Sequence, residues 1–229
     1  MARSVKLKPP HGWNEVGWDL AIVVLGVLIA LGAQQAVDAW QWRQKVGVVR
    51  QSIMSELGNN RARWEENLVA VRCASQEIDR LDAWAAAPPG PPPPDISTIA
   101  GGRVFSTHTA NWVLATNSLT MDHFPMREQL AFASLYDGID HRQVSITAVT
   151  DDFDRIQTLV PLASNPTARL ELREAIGGAR REIASLIDNE GYMQRHFDAV
   201  GVKPDRSDFA ADVTGSGCGM RRSIVGASG

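Results

Sequence analysis

The sequence predicts an all-α protein, with a single N-terminal transmembrane helix continuing into an antiparallel helical bundle of about three long helices and one short one. Three observations predict it. The run at 20–33, LAIVVLGVLIALGA, is wholly apolar and is flanked by tryptophans at Trp13, Trp18, Trp40 and Trp42. Downstream, apolar residues recur at steps of three and four, or multiples of these, over three long stretches, which is the period of one helix face. No alternating run bounded by turn signals calls for a strand.

The span must be argued, because its strictly apolar core is short for a bilayer interior about 30 Å thick, which needs roughly 20 residues. The flanks supply the difference. A helix from Trp18 to Trp40 covers about 33 Å and sets the indoles of Trp13, Trp18, Trp40 and Trp42 at the two headgroup levels as interface anchors. Asp19 and Asp38 then fall near the interfaces, and Gln34 and Gln35 near one end. Two other readings compete. One is a buried core helix. The other is a signal peptide cleaved near Ala30-Leu31-Gly32, against which stand the acidic residues Glu15 and Asp19. Within the helix, Gly26, Ala30 and Gln34 are four apart with Ala33 beside them. Small residues at that spacing let two helices approach in lipid, and Gln34 can hydrogen-bond across the contact, so this face is expected to pack against a partner helix.

Six segments follow from punctuation and period. Residues 1–17 form a polar stub interrupted by Pro9-Pro10, and 18–42 the transmembrane helix. Residues 43–87 contain no proline and carry Val46, Val49, Ile53, Leu57, Trp64, Leu68, Val71, Ile78 and Leu81 on one face. This is a long amphipathic helix, with Gly58-Asn59-Asn60 as its weakest point. The proline run from Pro88 to Pro94 ends it and opens a Pro/Gly-rich linker at 88–106. The rest of the bundle occupies 107–200. A short helix over 107–118 is followed by a helix from Pro125 to about Val160. The inward face of the latter is expected to use Leu130, Leu135 or Tyr136, Ile139, Ile146, Val149, Phe153, Ile156 and Val160. A last helix over 167–200 presents Leu170, Ala175, Ile176, Ala179, Ile183, Leu186, Ile187, Tyr192 and Phe197. Residues 201–229 lose the period and form a Gly/Ser-rich tail expected to be flexible.

Composition narrows function mainly by exclusion. The chain has 229 residues and a net charge of −3, so there is no basic footprint for nucleic acid. Arg3, Lys6 and Lys8 before the span balance Arg43, Lys45 and Arg50 after it, leaving the positive-inside rule tied. The short stub is the easier end to keep in the cytoplasm, which puts the body in the periplasm. Cys73 and Cys218 allow one intramolecular pairing in an oxidising compartment, but nothing in their spacing demands it, and they read as ordinary small residues. Gly215, Gly217 and Gly219 in GSGCGM lack the strand and helix of a phosphate-binding loop. Asp151, Asp152 and Asp154 lack the spacing of a calcium loop and read as a solvated helix face. Asp137 and His141 are one turn apart without further ligands, and His108, His123 and His196 are scattered. Trp112 and Tyr136 are the most suggestive aromatic pair for a pocket, with core filling the default. No catalytic, cofactor-binding or metal residue is assigned, and no cofactor is expected.

Two stretches, VVLGVLIALGAQQAVDAWQWR in the span and NWVLATNSLTMDHFPMREQLAFASLYDGID at 111–140, give the chain a resemblance to uncharacterised bacterial single-pass membrane proteins. The likeness covers roughly 18–57 and 111–140. It implies a domain of unknown function behind a retained anchor in the bacterial inner membrane, and it carries over no catalytic residue. The expected role is that of a membrane-anchored interaction, scaffold or accessory-subunit protein without catalytic activity. Its partners would be the lipid bilayer and either a second copy or another membrane protein through Gly26, Ala30, Ala33 and Gln34. The alternative is a periplasmic helical-bundle module that senses a ligand and acts through a partner.

Overall fold

The computed structural model describes residues 13–88, 90–96, 99 and 105–207, with side chains from residue 17 onward. It is all-α, as the sequence predicts, and divides into two compact units, one ending at Val48 and the other beginning at Val49. Helix α1 (Trp13–Ala86) contributes to both. In the first unit α1 is bare. Every described side chain from 17 to 41 is exposed, and by length and composition the stretch can cross a membrane, with a mean hydropathy of 2.2 in its most apolar window.

The second unit is built around the remainder of α1. Between Glu56 and Ile78 this helix is buried on nearly every side, because other elements cover it from two directions. After Ala86 the described linker residues meet α1 in reverse order, Ile99 at Glu77, Phe105 at Asn67 and His108 at Asn60, with 105–109 forming a strap along it, and the chain then forms α2 (Ala110–Asn117) and a 3-10 turn (Thr120–His123). Helix α3 (Met126–Leu159) runs parallel to α1, with Glu128 beside Arg50 and Tyr136 beside Glu56. A second 3-10 turn (Val160–Leu162) leads to α4 (Pro166–Asp188) and α5 (Glu190–Val200), which descend antiparallel to both. Thus Arg180 pairs with Asp79 and Asp82, and Arg61 with Asp198. The strap explains the parallel pair: it spends the return journey that a helix makes in a simple up-and-down bundle.

Local chemistry fixes the ends. Asn165 caps α4 by accepting the Thr167 N–H at 2.8 Å, and Pro166 fills a first-turn position that needs no N–H. Gly201, at φ +76, ends α5 in the left-handed region while the Val202 N–H returns to the Phe197 carbonyl. The last turn of α1 has no basic residue of its own. Arg169 of α4 supplies the charge, donating to the carbonyls of Trp84, Ala85 and Ala87 at 2.6–2.9 Å and lying over the Trp84 ring.

Several expectations are corrected. Helix α1 does not loosen at Gly58-Asn59-Asn60. Asn60 is turned inward, and Gly58 is where the segment after α5 touches the helix: the Asp205 N–H donates to its carbonyl, and an added Cβ would lie 3.0 Å from the Lys203 oxygen. The last helix is two, broken at Asn189. Residues 201–207 are packed rather than loose, with Val202 buried and Arg206 paired to Glu65 and Glu66; the remainder of the tail lies outside the described residues. Linker residue Ile99 is buried in the core. Leu130 and Leu170, expected inward, are exposed because each lies on the side of its helix opposite the buried stripe, which is Phe132, Leu135, Tyr136 and Ile139 on α3 and Leu172, Ala175, Ile176 and Ala179 on α4.

Candidate functional site

The most elaborate arrangement in the second unit is the grip of α1 on the strap. Side chains at 56, 60, 67 and 77 share the buried side of α1, and each bonds a backbone group of the segment after it. The Asn60 carboxamide donates to the His108 carbonyl at 2.6 Å and accepts the His108 N–H at 2.8 Å. Asn67 does the same with Phe105, at 2.8 and 2.7 Å. Each carboxamide thus copies a peptide group and pairs with the strap as a neighbouring β-strand would. The spacing makes this possible. Two helical turns from Asn60 to Asn67 rise about 10.5 Å, and three extended residues from Phe105 to His108 cover about 10 Å.

Further groups complete the clasp. Glu77 accepts the Ile99 N–H at 3.0 Å, and Glu56 accepts the Asn111 N–H at 2.8 Å, satisfying a first-turn donor of α2. From the α3 side, Gln143 accepts both the N–H and the hydroxyl of Thr107. A strap without a strand partner must satisfy its backbone somehow, and here side chains do it.

The aromatic pair belongs to this structure. Trp112 stacks on Tyr136 at 4.8 Å and 11°, and the Tyr136 hydroxyl donates to the second oxygen of Glu56 at 2.6 Å. Burial, reinforced by that hydrogen bond, pushes the Tyr136 hydroxyl far above the usual phenol range. It is a fixed donor, and Glu56 has both oxygens engaged within the protein. Tyr136 fills core, and half-buried Trp112 covers it. Arg142 is less settled. It is buried on α3, its Nε and Nη1 have no hydrogen-bond partner among the described residues, and burial lowers its pKa. A cleft of about 30 Å³ between α1 and α5, bordered by Arg61, Trp64 and Phe197, has room for little more than a water.

The residues examined as chemistry from sequence alone are dispersed. Asp151 and Asp154 are exposed on α3, while Asp152 faces Arg155 at 3.6 Å and lies against Gly178. Asp137 and His141 are exposed. His108 contributes backbone to the clasp, and His196 meets Tyr192 and Ser134. No group of three or more metal-ligating side chains occurs among the described residues. Cys73, read from sequence as an ordinary small residue, is instead buried and disulfide-bonded; the chain's other cysteine, Cys218, and the GSGCGM glycines lie outside the described residues.

Two apolar surfaces remain. The first is the stretch containing Gly26, Ala30, Ala33 and Gln34, all exposed, with open space where a Gly26 side chain would project. Of the expected anchors, Trp18 and Trp40 are 70% and 60% exposed, Trp42 is half-buried under the Lys45 ammonium, and the Trp13 side chain lies outside the described residues. The second surface comprises Val113, Leu114, Leu119, Met126 and Leu130, around the turn between α2 and α3. Sequence reading did not find this surface or the clasp. The signal for the clasp was polar residues at 56, 60 and 67 in phase with the apolar face. Comparison with known proteins yields no match to a family model, a curated protein or a solved structure.

Proposed function

We propose that this protein is a single-pass membrane protein of the bacterial inner membrane whose helical body serves as an interaction, scaffold or accessory-subunit module. It acts by placement and contact rather than by catalysis. One observation carries the reading. The apolar stretch 17–41 is wholly exposed on a helix whose other half is consumed as the centre of a packed bundle. Apolar surface of that length is costly in water and neutral in lipid. Within lipid, Gly26, Ala30, Ala33 and Gln34 offer the close-packing face through which a second copy or another membrane protein docks. Gly26→Leu combined with Ala30→Leu tests this. Loss of oligomer mass, or of a co-purified membrane partner, is expected. Unchanged mass and unchanged partner recovery in mild detergent would sink the docking idea.

The disulfide at Cys73 supports a periplasmic body, since such bonds persist outside the reducing cytoplasm. Alkaline phosphatase fused after Asp95 and, separately, at the C-terminus is expected to be active in both fusions. Two inactive, well-expressed fusions would place the body in the cytoplasm instead.

A further inference from the structure

Among the described residues the buried carboxylates all have partners. Glu56 accepts from Tyr136 and Asn111, Glu66 from Arg206, and Glu77 from the Ile99 N–H. Arg142 has no such arrangement. It is 5% exposed, and its Nε and Nη1 are enclosed with no acceptor among the described residues. A guanidinium carries five donors, has no acceptor of its own and stays charged. Enclosing one without an anion is among the costliest arrangements a core can hold, so its presence points to an occupant.

The packing of α3 locates that occupant. Residue 142 is one turn beyond Gly138 on the same face of α3. An added Cβ at Gly138 would lie 3.1 Å from the Met193 sulfur and 3.7 Å from the Tyr192 ring. Ser134 meets His196 before it, and Asp152 lies against Gly178 after it. Each step up α3 is thus matched by a step back along the opposing helices, which sets Arg142 against the break between α4 and α5 at Asn189. The polar group that acts on the guanidinium there is the phenol of Tyr192, not a carboxylate. Tyr192 is 40% exposed, and the missing side chain at Gly138 lets its ring lie across α3. Arg142 is therefore separated from solvent by a surface ring that one side-chain rotation moves aside.

We propose that Arg142 anchors a small-oxyanion site at the junction of α3 with the α4–α5 break, which takes the carboxylate or phosphate group of a soluble ligand behind the Tyr192 ring. The planar fork of a guanidinium matches two oxygens of either group, and the bound anion ties α3 to both opposing helices through one charge. Thermal unfolding of the full-length protein in a non-ionic detergent tests it, with sodium phosphate or sodium succinate compared with sodium chloride at equal ionic strength. The expected result is a saturable rise in Tm of several degrees with at least one of the two oxyanions. The rise is absent in Arg142→Met, whose Tm in chloride equals or exceeds that of the parent. Response to phosphate alone assigns a phosphate-bearing ligand, and response to succinate alone a carboxylate. An equal rise in parent and variant is a general salt effect and overturns the site, as does no rise in either. A marked fall in the Tm of Arg142→Met in chloride, with a parent indifferent to both oxyanions, overturns it in favour of an acceptor within the chain. Should the methionine variant fail to fold, Arg142→Lys keeps the charge and loses the fork. Equilibrium dialysis against labelled phosphate and succinate should then show binding about tenfold weaker than to the parent; equal binding, or none to the parent, overturns the site.

Discussion

Asn67→Ala measures how much the clasp contributes to stability. Asn67 is 1% exposed and gives the Phe105 backbone both a donor and an acceptor. Truncation removes two hydrogen bonds and leaves the Phe105 N–H and carbonyl stranded against an apolar methyl. At about 1 kcal/mol net per bond, with part of a further 1–3 kcal/mol for a stranded group, the loss is about 2–4 kcal/mol. For a body of this size that lowers the Tm by roughly 5–15 °C. Thermal unfolding in detergent by circular dichroism reads the shift, and hydrogen exchange at the Phe105 amide reads its origin. Asn67→Asp keeps the acceptor for that N–H but sets a carboxylate oxygen against the Phe105 carbonyl, so it should fare no better than alanine. A Tm within about 1 °C of the parent, together with undiminished protection at Phe105, would refute the claim that the carboxamide substitutes for a β-strand partner.

Four further outcomes are expected. Tyr136→Phe removes one of the two donors to buried Glu56 and should cost about 1–3 kcal/mol in denaturant unfolding. Arg142→Met should be neutral or stabilising, because the guanidinium is buried with two orphaned nitrogens; a marked loss would reveal a partner for it. Gly58→Ala gains about 1 kcal/mol of helix propensity but forces the Lys203 carbonyl away, so net destabilisation and faster proteolysis after residue 200 are expected. Burial raises the Asp152 pKa above its unfolded value. Its contribution to stability is therefore present at low pH and lost as pH rises through the folded pKa. Asp152→Asn should exceed the parent in Tm at neutral pH, with the gap closing as pH falls toward the ordinary carboxylate value of about 4. An equal gap at both pH values would count against it.

The apolar face of α1 was legible because period and burial agree: Ile53, Leu57, Trp64, Leu68, Val71, Ile78 and Leu81 are all buried. Helix boundaries followed from Pro125, Pro166 and Gly201, whose backbone constraints are local. What escaped was whatever depends on a distant partner. Asn60 and Asn67 look like solvated or weakening residues until an extended segment some 40 residues away is laid against them. Leu130 and Leu170 lie opposite the buried stripes of their helices, so their apolar character was no guide to burial; the true phase is set by Phe132, Leu135 and Ile139 and by Leu172, Ala175 and Ala179. The break at Asn189 is a single residue between Asp188 and Glu190, too short an interruption for the apolar period to register.

The route of the chain also bears on how the molecule is made. Among the described residues those of the central helix are made before the segment that closes it: Arg206 pairs with Glu65 and Glu66, and the Asp205 N–H reaches Gly58, more than 140 residues earlier. Such sequence-distant closure makes for slow folding and exposes apolar surface meanwhile. Nascent chains halted before residue 190 should therefore remain bound to chaperones and sensitive to protease, whereas chains released after residue 207 should mature. Equal protease resistance in both would show that the chain through α4 suffices to form a stable core without α5 and the segment after it. Until release, the half-built body would be a tethered, unfinished client held beside the bilayer by its own first helix.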